Sequence, residues 1–348
     1  MTDFHALTVS SLTPETSDSV SITFDVPNEL KETFRFKAGQ YITIAHEIEG
    51  KSVRRAYSIC SSQNSGSLKV GVKKVEGGTF STYANEHLGV GDTLRVMAPK
   101  GKFTLPAEVN KNGSYAYFAA GSGITPILSL IKTVLETTEA KVVLAYGNRT
   151  IAESMFHAEL VELLKEYGER IYIEFIFSRK QEGEARFGRI EKSTVNYLVK
   201  NKFENHKFDA YYLCGPEEMI DEVSATLKHN GINEKLIHHE LFSTSEEGLL
   251  VKPHEGNTKI TITVDDDVQT FEMPQTKSIL QAALDEGLDP PYSCQGGICS
   301  TCIARIKEGK AEMRKNQILT DGEIAEGLIL TCQAHPTTAT VVVDYDDV

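Results

Sequence analysis

A surplus of basic residues is missing from this sequence. Its 348 residues carry 36 Lys and Arg against 49 Asp and Glu, a formal net charge of −13, whereas a chain that neutralises nucleic-acid phosphates shows the opposite balance. A general nucleic-acid-binding role is therefore disfavoured. No run of about 18 apolar residues occurs, so no membrane insertion is expected. The opening Met1-Thr2-Asp3-Phe4-His5 lacks a basic segment leading into an apolar one, so no secretory signal is read and a cytoplasmic location is expected. Internal repeats and low-complexity tracts are also missing. Cysteine is sparse, with six residues. In a long chain without a leader these point to thiols, metal ligands or redox groups rather than to disulfides.

What is present fits a folded globular chain, 40% hydrophobic and 24% charged, of a length for two or three domains. Its acid is unevenly spread. From Asn257 to Val348 there are 15 Asp and Glu against 7 Lys and Arg, a net −8, which leaves −5 for the rest of the −13. A solvated acidic surface would account for this asymmetry. So would a C-terminal unit that docks on a basic patch of a partner, with steering that weakens as salt rises.

Three units can be read along the chain. Up to residue 108, short strand-like runs alternate with turns. Val20, Ile22, Phe24 and Val26 repeat at period two, and Tyr41–Ile44, Tyr57–Ile59 and Leu68–Val72 follow; this spacing predicts a small antiparallel barrel or sandwich. Over 109–242 the rhythm changes to strand and helix in alternation, with strands at Tyr115–Ala119, Lys141–Tyr146, Ile171–Phe177 and Asp209–Leu213. That alternation predicts an α/β domain on a parallel sheet. Residues 243–256 open on Ser243-Thr244-Ser245-Glu246-Glu247-Gly248 and read as a linker. Over 257–348 a hairpin, a helix at Ser278–Glu286 and a closing strand at Ala339–Asp344 predict a small α+β domain.

Cys294, Cys299, Cys302 and Cys332 stand in the pattern C-x4-C-x2-C with a distant fourth cysteine, the spacing of plant-type [2Fe–2S] ligation. Each iron of such a cluster needs two thiolates, and one tight loop supplies three of the four. Gly296 and Gly297 inside that loop let backbone N–H groups approach the sulfurs. A zinc site or plain buried thiols are the alternatives, although zinc usually takes two C-x2-C knuckles and only one pair here has that spacing.

The remaining motifs are individually weaker. In Arg55-Ala56-Tyr57-Ser58 the guanidinium suits a flavin pyrophosphate, the phenol ring an isoalloxazine face, and the serine hydroxyl the ring edge; ordinary packing would also produce such a run. Gly77-Gly78-Thr79-Phe80-Ser81 leads into a short helix, whose free N–H groups and Ser81 hydroxyl form a phosphate seat. Gly121-Ser122-Gly123-Ile124-Thr125-Pro126 follows a strand and opens a helix, the context of a dinucleotide turn, with Pro126 where a third glycine would stand. Cys214-Gly215-Pro216 is a second turn at a strand's carboxyl end, where ligands of open α/β sheets collect. Cys60 reads as a buried thiol, His238-His239 as side chains that diverge on a strand, and Asp265-Asp266-Asp267 as a hairpin turn without the spacing of a calcium loop.

Taken in order, these motifs resemble the ferredoxin–NADP reductase superfamily in its form with a C-terminal plant-type ferredoxin domain. Within it, the chain is most similar to the reductases that serve phenylacetyl-CoA epoxidase. The resemblance covers nearly the whole chain and implies three domains: an antiparallel β-barrel for FAD, an α/β domain for NAD(P), and a β-grasp ferredoxin domain. It implies that Arg55, Ala56, Tyr57 and Ser58 hold the flavin, with Gly78 and Ser81 at its pyrophosphate. Gly121, Gly123, Thr125, Gly215 and Pro216 would receive the nicotinamide nucleotide, and Cys214 would sit beside the nicotinamide where hydride leaves. Glu240 and Phe242 match an element that closes over the flavin, so Ser58, Cys214 and Glu240 are the candidate catalytic residues. The second strand ends in Tyr146-Gly147-Asn148-Arg149 without a carboxylate, and the third in Ser178-Arg179, similar to a pair that grips a 2′-phosphate. NADPH is therefore expected, with NADH as the alternative, and FAD rather than FMN. The implied route runs from NADPH through FAD and the cluster to a separate acceptor, by resemblance a di-iron oxygenase acting on an acyl-CoA. A ring-hydroxylating oxygenase, a desaturase or a hydroxylase are other acceptors of such reductases. A redox carrier or sensor without turnover, and a zinc-binding interaction protein, are the readings from other classes.

Overall fold

The computed structural model describes residues 4–242 and 256–348; most of the expected linker, including Ser243–Gly248, lies outside them. Two compact units are present. The larger comprises Ala6–Val53 and Tyr57–Phe242, and the smaller is built on residues 256–348 with the short segments 4–5 and 54–56.

The larger unit contains two sheets, the first without its residues 4–5 and 54–56. Strands β1 (Phe4–Thr16), β2 (Ser19–Asp25), β3 (Tyr41–Ile48), β4 (Lys51–Ser58), β5 (Leu68–Lys73) and β6 (Thr93–Met97) form the first, with helix α1 (Thr79–Glu86) after β5. Their order is β4-β3-β6-β1-β2-β5. An isolated antiparallel bridge between Ile59, just past β4, and Val70 on β5 ties the two ends of that order together. The alternation read at Val20, Ile22 and Phe24 is the inward face of β2; Ile22 is fully buried with Leu7, Ile42, Ile44, Val70 and Val72. Period-two burial is what one buried sheet face requires. Cys60 lies in this region as a buried thiol whose Sγ donates to the Lys69 carbonyl at 3.3 Å, and burial, the dominant cause, pushes its pKa up to about 12.

The second sheet is parallel throughout. It consists of β7 (Ser114–Ala120), β8 (Lys141–Asn148), β9 (Ile171–Phe177), β10 (Arg186–Phe187), β11 (Ala210–Cys214) and β12 (Ile237–Glu240), in the order β10-β9-β8-β7-β11-β12. Helices α2 (Ile124–Thr137), α3 (His157–Tyr167), α4 (Lys192–Asn196) and α5 (Glu217–His229) connect the strands. The run Tyr115–Ala119 is buried at every position, as a central strand covered on both faces must be. Pro126 falls in the first turn of α2, where a missing N–H costs nothing. His238 lies against the Tyr212 ring at 4.9 Å between centroids, and burial lowers the pKa of both His238 and His239.

The two sheets of this unit are packed tightly. The Ser129 hydroxyl on α2 donates to the Ser61 carbonyl at 2.6 Å, and the Gln63 N–H to Thr133 Oγ1 at 3.2 Å. A Cβ placed on Gly71 of β5 would stand 2.8 Å from the Thr125 methyl and 2.9 Å from Met155 Cε.

In the smaller unit, β13 (Asn257–Val264), β14 (Asp267–Pro274), β15 (Ile303–Glu308), β17 (Leu328–Leu330) and β19 (Thr340–Asp344) form a mixed sheet in the order β14-β13-β19-β15-β17. A minor ladder pairs β16 (Ala311–Met313) with β18 (Ala334–Pro336). Helix α6 (Ile279–Asp285) is capped by Ser278, whose hydroxyl accepts from the Gln281 N–H at 3.2 Å, and α7 (Asp321–Ala325) by a reciprocal box of Thr320 and Glu323. Of the three aspartates at 265–267, Asp265 and Asp266 form the β13–β14 turn and Asp267 opens β14. Asp265 and Asp266 both take positive φ, 52° and 64°, as a two-residue hairpin turn demands, and their N–H groups donate to the Asp346 carboxylate at 2.9 and 2.8 Å.

Candidate functional site

The parallel sheet reverses its order between β7 and β11, and a crevice opens beyond the carboxyl ends of strands at such a point. Both glycine turns read in the sequence are there. Gly123 lies directly against the end of β11: a Cβ on it would stand 2.5 Å from the Cys214 carbonyl carbon and 2.8 Å from the Gly215 nitrogen. A Cβ on Gly215 would in turn press on Met219 Cε at 2.8 Å and on the Ala120 nitrogen at 3.2 Å. Gly121 is different. Its φ is +55°, and no atom stands within 4 Å of its would-be Cβ, so this position is held by backbone conformation. Thr125 is buried, and its hydroxyl donates back to the Ser122 carbonyl at 3.0 Å. Its role is to fix the turn, while Pro216 stands exposed at the mouth.

The three candidate catalytic residues meet here. Cys214 and Glu240 face each other in the β11–β12 register, and the Ser58 hydroxyl donates to Glu240 Oε2 at 3.3 Å. Cys214 is fully buried. Burial first, and the Glu240 charge second, push its thiol well above the ordinary range, so it is a neutral filler rather than a thiolate nucleophile. Phe242, two residues past Glu240, is 39% exposed.

The flavin-type residues lie on β4 and at the start of α1. Arg55 is exposed, and one of its guanidinium nitrogens donates to the Arg54 carbonyl at 2.8 Å. Ala56 is half-buried, and the Tyr57 ring stands 5.5 Å from that of Phe80. Gly78 is the N-cap of α1 and supplies no side-chain cap to it. A Cβ at Gly78 would stand 2.5 Å from Val75 Cγ2 and collide with the Ser81 hydroxyl. No side chain caps the first N–H groups of α1, and a helix start of this kind suits an anionic pyrophosphate.

A cleft of about 1250 Å³ runs from the Gly121 turn along the ends of β8 and β9. Arg149, Ser178 and Arg179 line it, as does Arg189, which sequence reasoning missed. Arg149 is 3.6 Å from Glu153. The Ser178 and Arg179 N–H groups donate to the Asn148 and Arg149 carbonyls, both at 3.0 Å, which aligns the ends of β8 and β9. Among the described residues, the exposed Arg179 and Arg189 have no ion-pair partner. The available signal for the latter was the pair Gly188-Arg189, a short distance beyond Ser178-Arg179; Gly188 takes φ +127°, a conformation that admits few other residues.

All six cysteines are free. In the smaller unit the four candidate ligands gather as two pairs. Cys294 lies beside Cys299, and Cys302 beside Cys332. Two thiols per iron is the division a two-iron cluster needs. The loop is shaped for it: the Gly296 N–H donates to Cys294 Sγ at 3.3 Å. Gly297 takes φ +73° where a Cβ would stand 2.8 Å from the Lys315 carbonyl oxygen. The neighbouring Cys294 thiol, chiefly, and Thr301 lower the pKa of Cys299.

Comparison with known proteins agrees with these features. Residues 6–105 match the family described as an oxidoreductase FAD-binding domain. Residues 118–225 match an oxidoreductase NAD-binding domain, and 262–337 a 2Fe-2S iron-sulfur cluster binding domain. The chain is 40% identical over 351 residues to one of the subunits of the 1,2-phenylacetyl-CoA epoxidase of Escherichia coli (strain K12), with 99% of each chain covered. It is 31% identical over 350 residues to the ferredoxin reductase component of 3-ketosteroid-9-alpha-monooxygenase from Rhodococcus rhodochrous, covering 97% of this chain and 96% of that one. In fold it is similar to phthalate dioxygenase reductase, with a TM-score of 0.63 at 23% identity and 98% of each chain covered. No helix among the described residues is long and apolar enough to cross a membrane. The chain therefore belongs to the family of oxygenase reductase components that join FAD-binding, NAD-binding and [2Fe–2S] domains in one polypeptide and transfer electrons from a nicotinamide nucleotide to a partner oxygenase.

Proposed function

We propose that this reductase draws its electrons from NADPH and delivers them, in the cytoplasm, to a separate di-iron oxygenase of the phenylacetyl-CoA epoxidase kind. The acceptor assignment rests on the 40% identity along 99% of both chains. The domain limits that follow are 1–108 for FAD, 109–242 for the nucleotide, 243–256 as linker and 257–348 for the cluster. A bound flavin turns the hydride of a nicotinamide into electrons passed singly, the form in which a [2Fe–2S] cluster takes them.

The chain's own residues bind and orient. Arg55 and the start of α1 at Gly78 and Ser81 take the flavin pyrophosphate, and Tyr57 lies on the flavin ring. Ser58, held by Glu240, keeps a hydroxyl at the ring edge. Gly121, Gly123, Gly215 and Pro216 admit the nicotinamide half of the nucleotide to the crevice. Buried Cys214 excludes water from it, and Phe242 covers the flavin. Cys294 with Cys299, and Cys302 with Cys332, ligate one iron each.

The observation that carries the NADPH assignment is the presence of the exposed Arg179 and Arg189 in the cleft, neither with an ion-pair partner among the described residues. A charge-assisted hydrogen bond to phosphate is worth about 1.5–3 kcal/mol. Arg179→Ala and Arg189→Ala should therefore each raise the KM for NADPH by roughly 10- to 100-fold. The KM for NADH should change by less than about twofold, since it offers no 2′-phosphate. Equal losses with both nucleotides would remove the phosphate reading. The wider proposal is tested on the purified protein. Flavin and iron–sulfur absorption should both be present, and NADPH should support reduction of the epoxidase oxygenase component. A colourless protein, or turnover with NADH alone, would overturn it.

A further inference from the structure

Among the described residues of the smaller unit, two buried side-chain hydroxyls lack a hydrogen-bond partner, those of Ser293 and Tyr345. Ser293 precedes the ligand Cys294 and belongs to the tight loop. Tyr345 comes from the far end of the chain. Its position has no explanation in packing alone, because phenylalanine would fill the same space without stranding a hydroxyl.

The topology explains where it points. Cys302 immediately precedes β15, and Cys332 follows β17 with one residue, Thr331, between. The pairing of Ile303 with Leu330 brings the two cysteines to the same end of the sheet. β19 lies on the other side of β15, with Asp344 opposite Arg305, so Tyr345, the next residue, reaches that same end. Its N–H is fixed to the Thr263 carbonyl at 3.0 Å, and the residue is 5% exposed. Thr331 stands beside it, and the Thr331 hydroxyl donates to the Cys302 carbonyl at 3.0 Å. The phenolic hydroxyl is enclosed and makes no hydrogen bond among the described residues, at the end of the sheet that Cys302 and Cys332 share. A buried hydroxyl left unmade costs free energy comparable to a lost hydrogen bond, and the group that would remove that cost is an anionic sulfur.

We propose that Tyr345 is a positioning residue for the cluster, its hydroxyl a hydrogen-bond donor reserved for the Cys302–Cys332 half, where it favours the reduced form. This rests on the four cysteines holding a [2Fe–2S] cluster. A donor to cluster sulfur stabilises the extra negative charge of the reduced state, so it raises the reduction potential.

The test is a redox titration of the holoprotein, followed by the paramagnetic resonance signal of its reduced cluster, for the parent and for Tyr345→Phe. The equilibrium constant for reduction should fall about tenfold in the variant, which is about 59 mV for one electron. Urea unfolding of the cluster-free chain should be unchanged or shifted to higher urea, because an orphaned hydroxyl has been removed. An unchanged potential overturns the proposal, as does a lower potential accompanied by equal destabilisation of the cluster-free chain, which would mark a packing role. Should Tyr345→Phe not retain its cluster, 3-fluorotyrosine at position 345 carries the test. It is a stronger donor of nearly the same shape, so the potential should rise; no rise overturns the proposal. Absence of any cluster signal in the parent protein would instead count against the ligand assignment itself.

Discussion

Replacing Cys299 by serine should abolish electron delivery to a one-electron protein acceptor while leaving reduction of ferricyanide by NADPH within about twofold of the parent. The reason lies in the pairing of the thiols. Cys299 and Cys294 form the half-site contained within one loop, and Gly296 donates to that pair's sulfur. Serine keeps the volume but offers a hydroxyl that does not ionise as a thiol does, and iron of this type is held by thiolate. Changes in residues that merely support a metal's ligands cost about 10- to 100-fold, so loss of a ligand should cost the protein acceptor at least about 100-fold. Ferricyanide needs only the flavin and nucleotide sites, which do not include Cys299. Iron content and both activities are measured on the same preparation. If the two activities fell together in a folded, flavin-loaded protein, the separation of the centres would be wrong.

The second large effect is expected at Gly123. Every atom its Cβ would meet within 3 Å belongs to the backbone of Cys214 or Gly215, and backbone at the end of a central strand cannot rotate aside as a side chain can. Gly123→Ala must push the β7–α2 turn off the end of β11. Overpacking of this sort costs about 1–3 kcal/mol, at times more, or a fall of roughly 2–4 °C in Tm per kcal/mol for a unit of this size. The functional cost should be larger, since a 1 Å misplacement of reacting groups can cost about 100-fold. The expected outcome is a protein that retains flavin yet shows kcat/KM for NADPH lower by on the order of 100-fold. Gly121→Ala is the internal comparison. It meets no atom, and its cost is the positive φ, about 1–2 kcal/mol, so it should lose stability with a smaller loss of turnover. Equal kinetics for the two variants would show that contact with β11 is not what fixes the turn.

Much of this was legible in the sequence because it is local. The cysteine spacing, the glycine turns at strand ends and the aspartate hairpin all act over a few residues. What was not legible depends on partners brought together by folding. The hydrogen bond from Ser58 to Glu240 spans the two sheets of the larger unit, and only a family resemblance linked those residues beforehand. Arg189 enters the cleft because the chain returns beside β9, a fact of topology. Tyr345 reads as an ordinary strand-end aromatic until the sheet register places it beside two cysteines. The long β1 was also unread, because Phe4–Thr16 carries only a few buried positions among exposed polar ones and so gives a faint alternation.

The packing of Gly71 against Thr125, with the hydrogen bonds from Ser129 to Ser61 and from Gln63 to Thr133, bears on how such reductases can be recombined. A crossover placed between the FAD- and NAD-type segments would join halves whose facing surfaces were shaped on different parents. It would strand a serine hydroxyl or drive a foreign side chain into the glycine notch. The heritable block for exchange is residues 6–242 taken whole, so chimaeras that trade nucleotide preference should carry their own barrel with them.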